Sequence, residues 1–106
     1  MERKYTTKLR QNDQVVVIAG KDKGKTGRIL RIDLKNGRAL VEGVNMVKKA
    51  QRRRSQQDRG GIIELEAPIA LSNIMAATRD GTPSRIGIEF ENGRKVRVLK
   101  KNGEQI

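Results

Sequence analysis

The chain has 106 residues with no Cys, no His and only one Phe and one Tyr, and its 24 Lys and Arg against 12 Asp and Glu give a formal charge of +12. This composition excludes a disulfide framework, thiolate and imidazole metal ligands, and Cys–His or Ser–His catalysis; a modest core must come from Val, Ile, Leu and Met. The charge is also lopsided, with seventeen basic and six acidic side chains in residues 1–60 but seven and six in residues 61–106, a field that a polyanionic partner neutralises.

In chain order, residues 1–5 are basic like the start of a signal peptide. The only apolar run after them, residues 15–19, is too short for a signal h-region, and no run approaches transmembrane length. No segment pairs a basic face with a bulky apolar one, so no membrane partner and a cytoplasmic location are expected. Lys8 and Arg10 precede the first predicted strand, residues 14–19, and join the set of candidate cations. A loop then carries Gly20, Lys21, Lys23, Gly24, Lys25 and Gly27, and a second strand runs over residues 28–34 with Leu30, Ile32 and Leu34 alternating with Arg31 and Asp33. A Gly- and Lys-rich loop brings bare amides and ammonium groups to one spot, which suits phosphates. Its glycines permit positive φ and close approach of backbone to RNA, or serve plain turn chemistry, and the two uses are compatible.

Those phosphates could belong to a nucleotide, because residues 19–26 read A-G-K-D-K-G-K-T and match a P-loop except for Ala19 in place of the leading Gly. A P-loop needs a helix to start at its end, whereas period-two alternation after Thr26 predicts a strand. The loop could also be no more than a solvated hairpin turn; the charge of the whole chain favours nucleic acid over both readings.

Asn36-Gly37 is a type I′ hairpin signal leading into a strand at 38–42, and a further strand at 44–49 carries Lys48 and Lys49. Residues 51–61 are polar, aperiodic and basic, holding Arg52, Arg53, Arg54 and Arg59, and read as a protruding loop. Strands resume at 62–66 and 73–77, residues 80–83 form a turn, and residues 85–90 alternate with Ile86, Ile88 and Phe90 inward. Asn92-Gly93 closes a second hairpin onto a strand at 95–100. Glu64 and Glu66 share a strand face but have no supporting catalytic groups, so they read as a solvated face and no enzyme is expected. No convincing amphipathic helix is present. Many short strands separated by turns predict an all-β fold: a small barrel with one basic hairpin extension and a C-terminal β-hairpin region.

Residues 15–32, V-V-V-I-A-G-K-D-K-G-K-T-G-R-I-L-R-I, resemble the KOW motif of the bacterial large-subunit ribosomal protein twenty-four family. The likeness continues through V-E-G-V-N-M-V-K-K, G-G-I-I-E-L-E-A-P-I and L-S-N-I-M to F-E-N-G-R-K-V-R-V-L-K-K-N-G-E, in the family's order. It implies a single ribosomal-protein domain over 1–106, with a KOW motif at about 13–40 in an SH3-like barrel, a basic loop at about 50–61 and a C-terminal β region at about 62–106. It implies a structural constituent of the large ribosomal subunit that binds the 5′ region of large-subunit (23S) rRNA and nucleates early subunit assembly. Neighbouring large-subunit proteins would be partners, and a place near the polypeptide exit tunnel opens the prospect of contact with the nascent chain. Two departures from the family pattern are a loop tip, R-R-R-S-Q-Q-D-R, without Pro, and Ala70 where many relatives carry a polar or aromatic residue.

With only Tyr5 and Phe90 as aromatic platforms, and Phe90 expected in the core, recognition is expected to rest on phosphates and RNA shape rather than on stacked bases. The expected RNA-binding set is Lys8, Arg10, Gly20, Lys21, Lys23, Gly24, Lys25, Thr26, Gly27, Arg28, Lys48, Lys49, Arg52, Arg53, Arg54 and Arg59, with no catalytic residue, metal, cofactor or small-molecule substrate. The alternative is a KOW-type RNA-binding module of a transcription elongation or antitermination factor.

Overall fold

A computed structural model describes residues 5–51 and 61–106; Arg52, Arg53, Arg54 and Arg59 of the expected basic loop lie outside the described residues. The described residues form ten strands and one short 3-10 helix, Leu71–Asn73: β1 Gln14–Val17, β2 Thr26–Asp33, β3 Arg38–Val41, β4 Met46–Gln51, β5 Gly61–Glu66, β6 Ile69–Ala70, β7 Ile74–Ala77, β8 Pro83–Ser84, β9 Ile86–Glu91 and β10 Arg94–Leu99. The chain is all-β, as its alternating pattern predicts.

Six strands form one sheet in the order β6-β3-β2-β1-β7-β8, and two hairpins, β4–β5 and β9–β10, stand apart from it. Val15, Val17, Ile29, Ala39, Val41, Val44, Ile69 and Ile74 form one cluster at 0–9% exposure, fed by β1, β2, β3, β6, β7 and Val44 in the turn between β3 and β4. A single sheet can bury one face to that degree only by curling around it, the geometry of a small SH3-like barrel. Leu9 joins this cluster to a second one made of Ala76, Ile86 and Leu99, so the segment before β1 seals the barrel against the foot of β9–β10.

Several expectations are corrected. The strand expected at 28–34 starts two residues earlier and ends at Asp33, leaving Leu34 outside it, and the alternation of its apolar side chains is not continuous. A register shift between Ile29 and Arg31 breaks the alternation, so Ile29 is fully buried and Ile32 packs on the same cluster. A bulge bends its strand and reverses the parity of the residues beyond it, which serves a sheet that must curl.

The Asn36-Gly37 signal does not produce a type I′ turn. Only Gly37 has positive φ (68°), and the loop is organised by the Asp33 carboxylate, which accepts from the Lys35 and Asn36 amides at 3.1 and 3.3 Å. Asn92 and Gly93, by contrast, have φ of 52° and 80° between Glu91 and Arg94, as a type I′ turn requires. The strands beside the basic segment reach further than expected, to Gln51 and from Gly61. Pro83, expected in a turn, starts the two-residue strand β8 against β7.

Ile88 and Phe90 do not reach the core. They are 41% and 70% exposed, while Ile86 on the same strand face is buried. The period-two pattern picks the correct face, but the hairpin outruns the core that this face would pack against.

Candidate nucleic-acid interface

The Gly–Lys loop is closed at its base by two backbone bonds, Val17 N–H to Lys25 O and Gly24 N–H to Val17 O, both 2.8 Å. Within it the Lys23 amide donates to Gly20 O at 3.2 Å and the Lys25 amide to Asp22 O at 2.9 Å, and Gly20 and Gly24 both have φ of 95°. Positive φ at these two points is what lets so short a loop double back.

The loop is also tied down from within. The half-buried Asp22 carboxylate accepts from the Asn45 amide at 2.7 Å and pairs with Lys25 Nζ at 3.1 Å. The Lys25 ammonium first, and then the Asn45 amide, hold the Asp22 carboxyl below its usual range. Asn45 has φ of 56° and donates from its side chain to Pro68 O at 3.1 Å, so one residue joins the loop, the approach to β4 and the link between β5 and β6.

Asp22 therefore divides the cations. Lys25 is engaged by it, and Arg28, outward on β2, lies 3.3 Å from the Glu42 carboxylate. Lys21 and Lys23 are exposed and have no acidic partner among the described residues. Such ammonium groups bind an incoming phosphate without first breaking an ion pair.

Beside Lys21 lies a groove of about 430 Å³, lined by Gly20, Lys21, Asp22, Arg38, Asn45 and Asn73 among others. Arg38 and Pro68 also line an adjoining groove of about 460 Å³ that includes Arg31. Arg31, Arg38, Asn45 and Asn73 are the members that sequence reasoning missed. The outward direction of both Arg residues was legible from alternation, but the nearness of Arg38 to the loop depends on the curl of the whole sheet.

The other predicted residues fall in different places. Thr26 opens β2 opposite Val16, so a strand and not a helix N-terminus comes after the loop, as the period predicts against the P-loop reading. Gly27 has no positive φ. A Cβ there would stand 2.5 Å from Glu42 O and 2.9 Å from Val41 Cγ1, so its small size serves the approach of the end of β3. Lys48 is on the β4–β5 hairpin directly across from Glu64, and Lys49 is paired with Ile63 in the backbone register.

Lys8 and Arg10 sit at the opposite end of β1 from the loop. Lys8 Nζ lies 3.4 Å from Ile86 O, and the Arg10 amide donates to Asp13 Oδ2 at 2.7 Å. Asp13 in turn takes both terminal nitrogens of Arg97, at 2.5 and 3.0 Å, with both side chains about one-tenth exposed. This bidentate pair clamps β10 to the entry of β1, and nothing in the local sequence pattern announces it.

Residues 44–106 match the family described as large ribosomal subunit protein uL24, C-terminal domain, and residues 11–42 match the KOW motif. The chain is 54% identical over 99 residues to large ribosomal subunit protein uL24 of Treponema pallidum (strain Nichols), covering 93% of this chain and 95% of that protein. It is 52% identical over 101 residues to the protein of the same name from Mesorhizobium japonicum (93% and 96%), and 49% over 100 residues to that of Borreliella afzelii (94% and 98%).

Proposed function

Because the chain belongs to the family of large ribosomal subunit protein uL24, we propose that it binds the 5′ region of large-subunit rRNA, nucleates early assembly of the subunit and lies near the polypeptide exit tunnel. It is a structural constituent of the cytoplasmic large ribosomal subunit and not an enzyme. Residues 1–106 act as one unit in this reading, with neighbouring large-subunit proteins as further partners and the nascent chain within reach at the tunnel mouth.

The observation that carries the reading is the division of charge at the loop. Asp22 fixes the loop by consuming Lys25, while Lys21 and Lys23 stay open beside a groove edged by Arg38, Asn45 and Asn73. A rigid platform with free cations recognises the spacing of phosphates in folded RNA, because the order in the platform is established before binding. Gly20 and Gly24 let the loop backbone double back, and Arg28, Lys48, Lys49, Arg52, Arg53, Arg54 and Arg59 are the further basic residues that this reading assigns to RNA. The reading as a transcription-factor module has no observation in its favour, since the matched relatives carry the name of a large-subunit protein.

The test is a titration against two transcripts of equal length, from the 5′ and the 3′ regions of large-subunit rRNA, over a range of salt. The 5′ transcript is expected to bind more tightly, with a log–log salt slope of about −4 to −5 for roughly six neutralised phosphates. Replacing both Lys21 and Lys23 with Ala removes about two from the magnitude of that slope. Equal affinity for both transcripts, or a slope near zero, refutes the proposal.

A further inference from the structure

We propose that the face of the β9–β10 hairpin next to its turn is a base-stacking site, where Phe90 receives an unpaired nucleotide base of the RNA and Lys95 and Lys8 hold the flanking phosphates. The inference rests on the rRNA-binding reading and assigns it a second contact, away from the Gly–Lys loop.

Phe90 is 70% exposed in a chain with only one other aromatic residue, and Ile88 beside it is 41% exposed. The register places Lys95 directly across from Phe90, Arg97 across from Ile88 and Leu99 across from Ile86. Side chains directly opposite one another share a sheet face, so this face carries Phe90, Ile88 and basic groups. Glu89 and Glu91 fall on the other face, across from Val96 and Arg94. The carboxylates of β9 are thus segregated away from the exposed ring.

At the foot of the same face, Arg97 binds Asp13 and donates to Lys8 O at 3.0 Å, and Lys8 Nζ lies against Ile86 O. The exposed Lys8 and Lys95 therefore bracket an apolar strip made of Ile88 and Phe90.

That arrangement discriminates between occupants. An apolar protein surface laid over the strip would bury the Lys95 ammonium without a counter-ion, which is costly. A nucleotide supplies a π-face for the ring and a phosphate for each flanking cation. The two-residue Asn92–Gly93 turn, with both residues at positive φ, holds the ring on a short, defined hairpin, so little order has to be gained on binding.

The experiment titrates the 5′ transcript with the full chain and with Phe90→Ala, Phe90→Leu, Phe90→Tyr and Lys95→Ala variants, each checked by thermal melt. Phe90→Ala and Phe90→Leu are expected to weaken binding about five- to one-hundredfold, and Phe90→Tyr to stay near the unmodified chain, because stacking needs an aromatic face and not merely apolar area. The salt slope stays unchanged in Phe90→Leu and falls in magnitude by about one in Lys95→Ala. Binding by Phe90→Leu equal to the unmodified chain, or an unaltered slope in Lys95→Ala, overturns the site. If only these variants are silent while the Lys21 and Lys23 double variant loses slope, the stacking site falls and the rRNA reading stands. If the unmodified chain does not bind the transcript, both fall together.

Discussion

β1 and β9 are both read as strands from their apolar side chains, yet they end at opposite extremes of burial. Val15 and Val17 of β1 are 0% and 2% exposed, whereas along β9 the same-face residues go from buried Ile86 to Ile88 at 41% and Phe90 at 70%. β1 has a strand on each side, β2 and β7, and lies within the curl of the six-stranded sheet. Among the described residues β9 has only β10 beside it, and its core contacts end with Ile86. Alternation specifies which face a side chain is on; the number of neighbouring layers specifies how deep that face lies.

The strongest way to break this comparison is to cut the tie between the two regions. Asp13→Ala leaves the Arg97 guanidinium buried without its carboxylate and removes the cap on the Arg10 turn, so it should cost about 3–5 kcal/mol in denaturant unfolding. A loss under about 1 kcal/mol would mean that the β9–β10 hairpin leans on the barrel by apolar contact alone.

Depth itself is tested by matched truncations of one residue type. Ile29→Ala, at the fully buried centre, should cost about 2–5 kcal/mol, and Ile88→Ala under about 1 kcal/mol, measured in the same urea titration. Similar losses at both positions would contradict the overhang.

The two Asn-Gly pairs sharpen the comparison at the level of turns. Gly93→Ala meets only the left-handed penalty at φ 80°, about 1 kcal/mol, since nothing lies within 4 Å of its new Cβ. At Gly37 the new Cβ would come within 2.7 Å of the Tyr5 ring at φ 68°, so the cost should rise to about 2 kcal/mol or more as the ring is displaced. Because Tyr5 is the only tyrosine and Trp is absent, intrinsic fluorescence should change for the Gly37 variant and not for the Gly93 variant.

The smallest effect expected is on acid stability. Asp22 has a folded-state pKa below its ordinary 3.8, so its stabilising contribution is complete above about pH 4 and is lost as pH falls through the folded value. Asp22→Asn should make the low-pH limb of a melting-temperature profile shallower while loosening the loop. An unchanged limb would mean that the Lys25 pairing is negligible in solution.

Much of the fold was legible in the sequence. The strands, the Gly–Lys loop between β1 and β2, the strand after Thr26 that rules out a P-loop helix, and the Asn92–Gly93 turn all come from short-range pattern and backbone chemistry. The cations of the candidate interface were legible as a list, but not in their division: Lys25 and Arg28 have acidic neighbours, while Lys21 and Lys23 do not. Asp22 and Glu42 could not be assigned to them by spacing, because a carboxylate at i−3 in a loop or across a strand pairs only when the turn geometry brings it there.

What the sequence determined by itself is what covalent geometry and local sterics control: side chains alternate across a strand, glycine admits positive φ, and an excess of twelve positive charges seeks a polyanion. The tertiary structure alone decided the bulge that turns Ile29 inward, the close approach that requires Gly27, the Asp13–Arg97 clamp and the exposure of Phe90. Each of these depends on residues far apart in the chain, such as Gly27 with Glu42 or Asp13 with Arg97. Such contacts arise only when loop-closure entropy is repaid by the packing of the whole sheet, so no local window of sequence contains them.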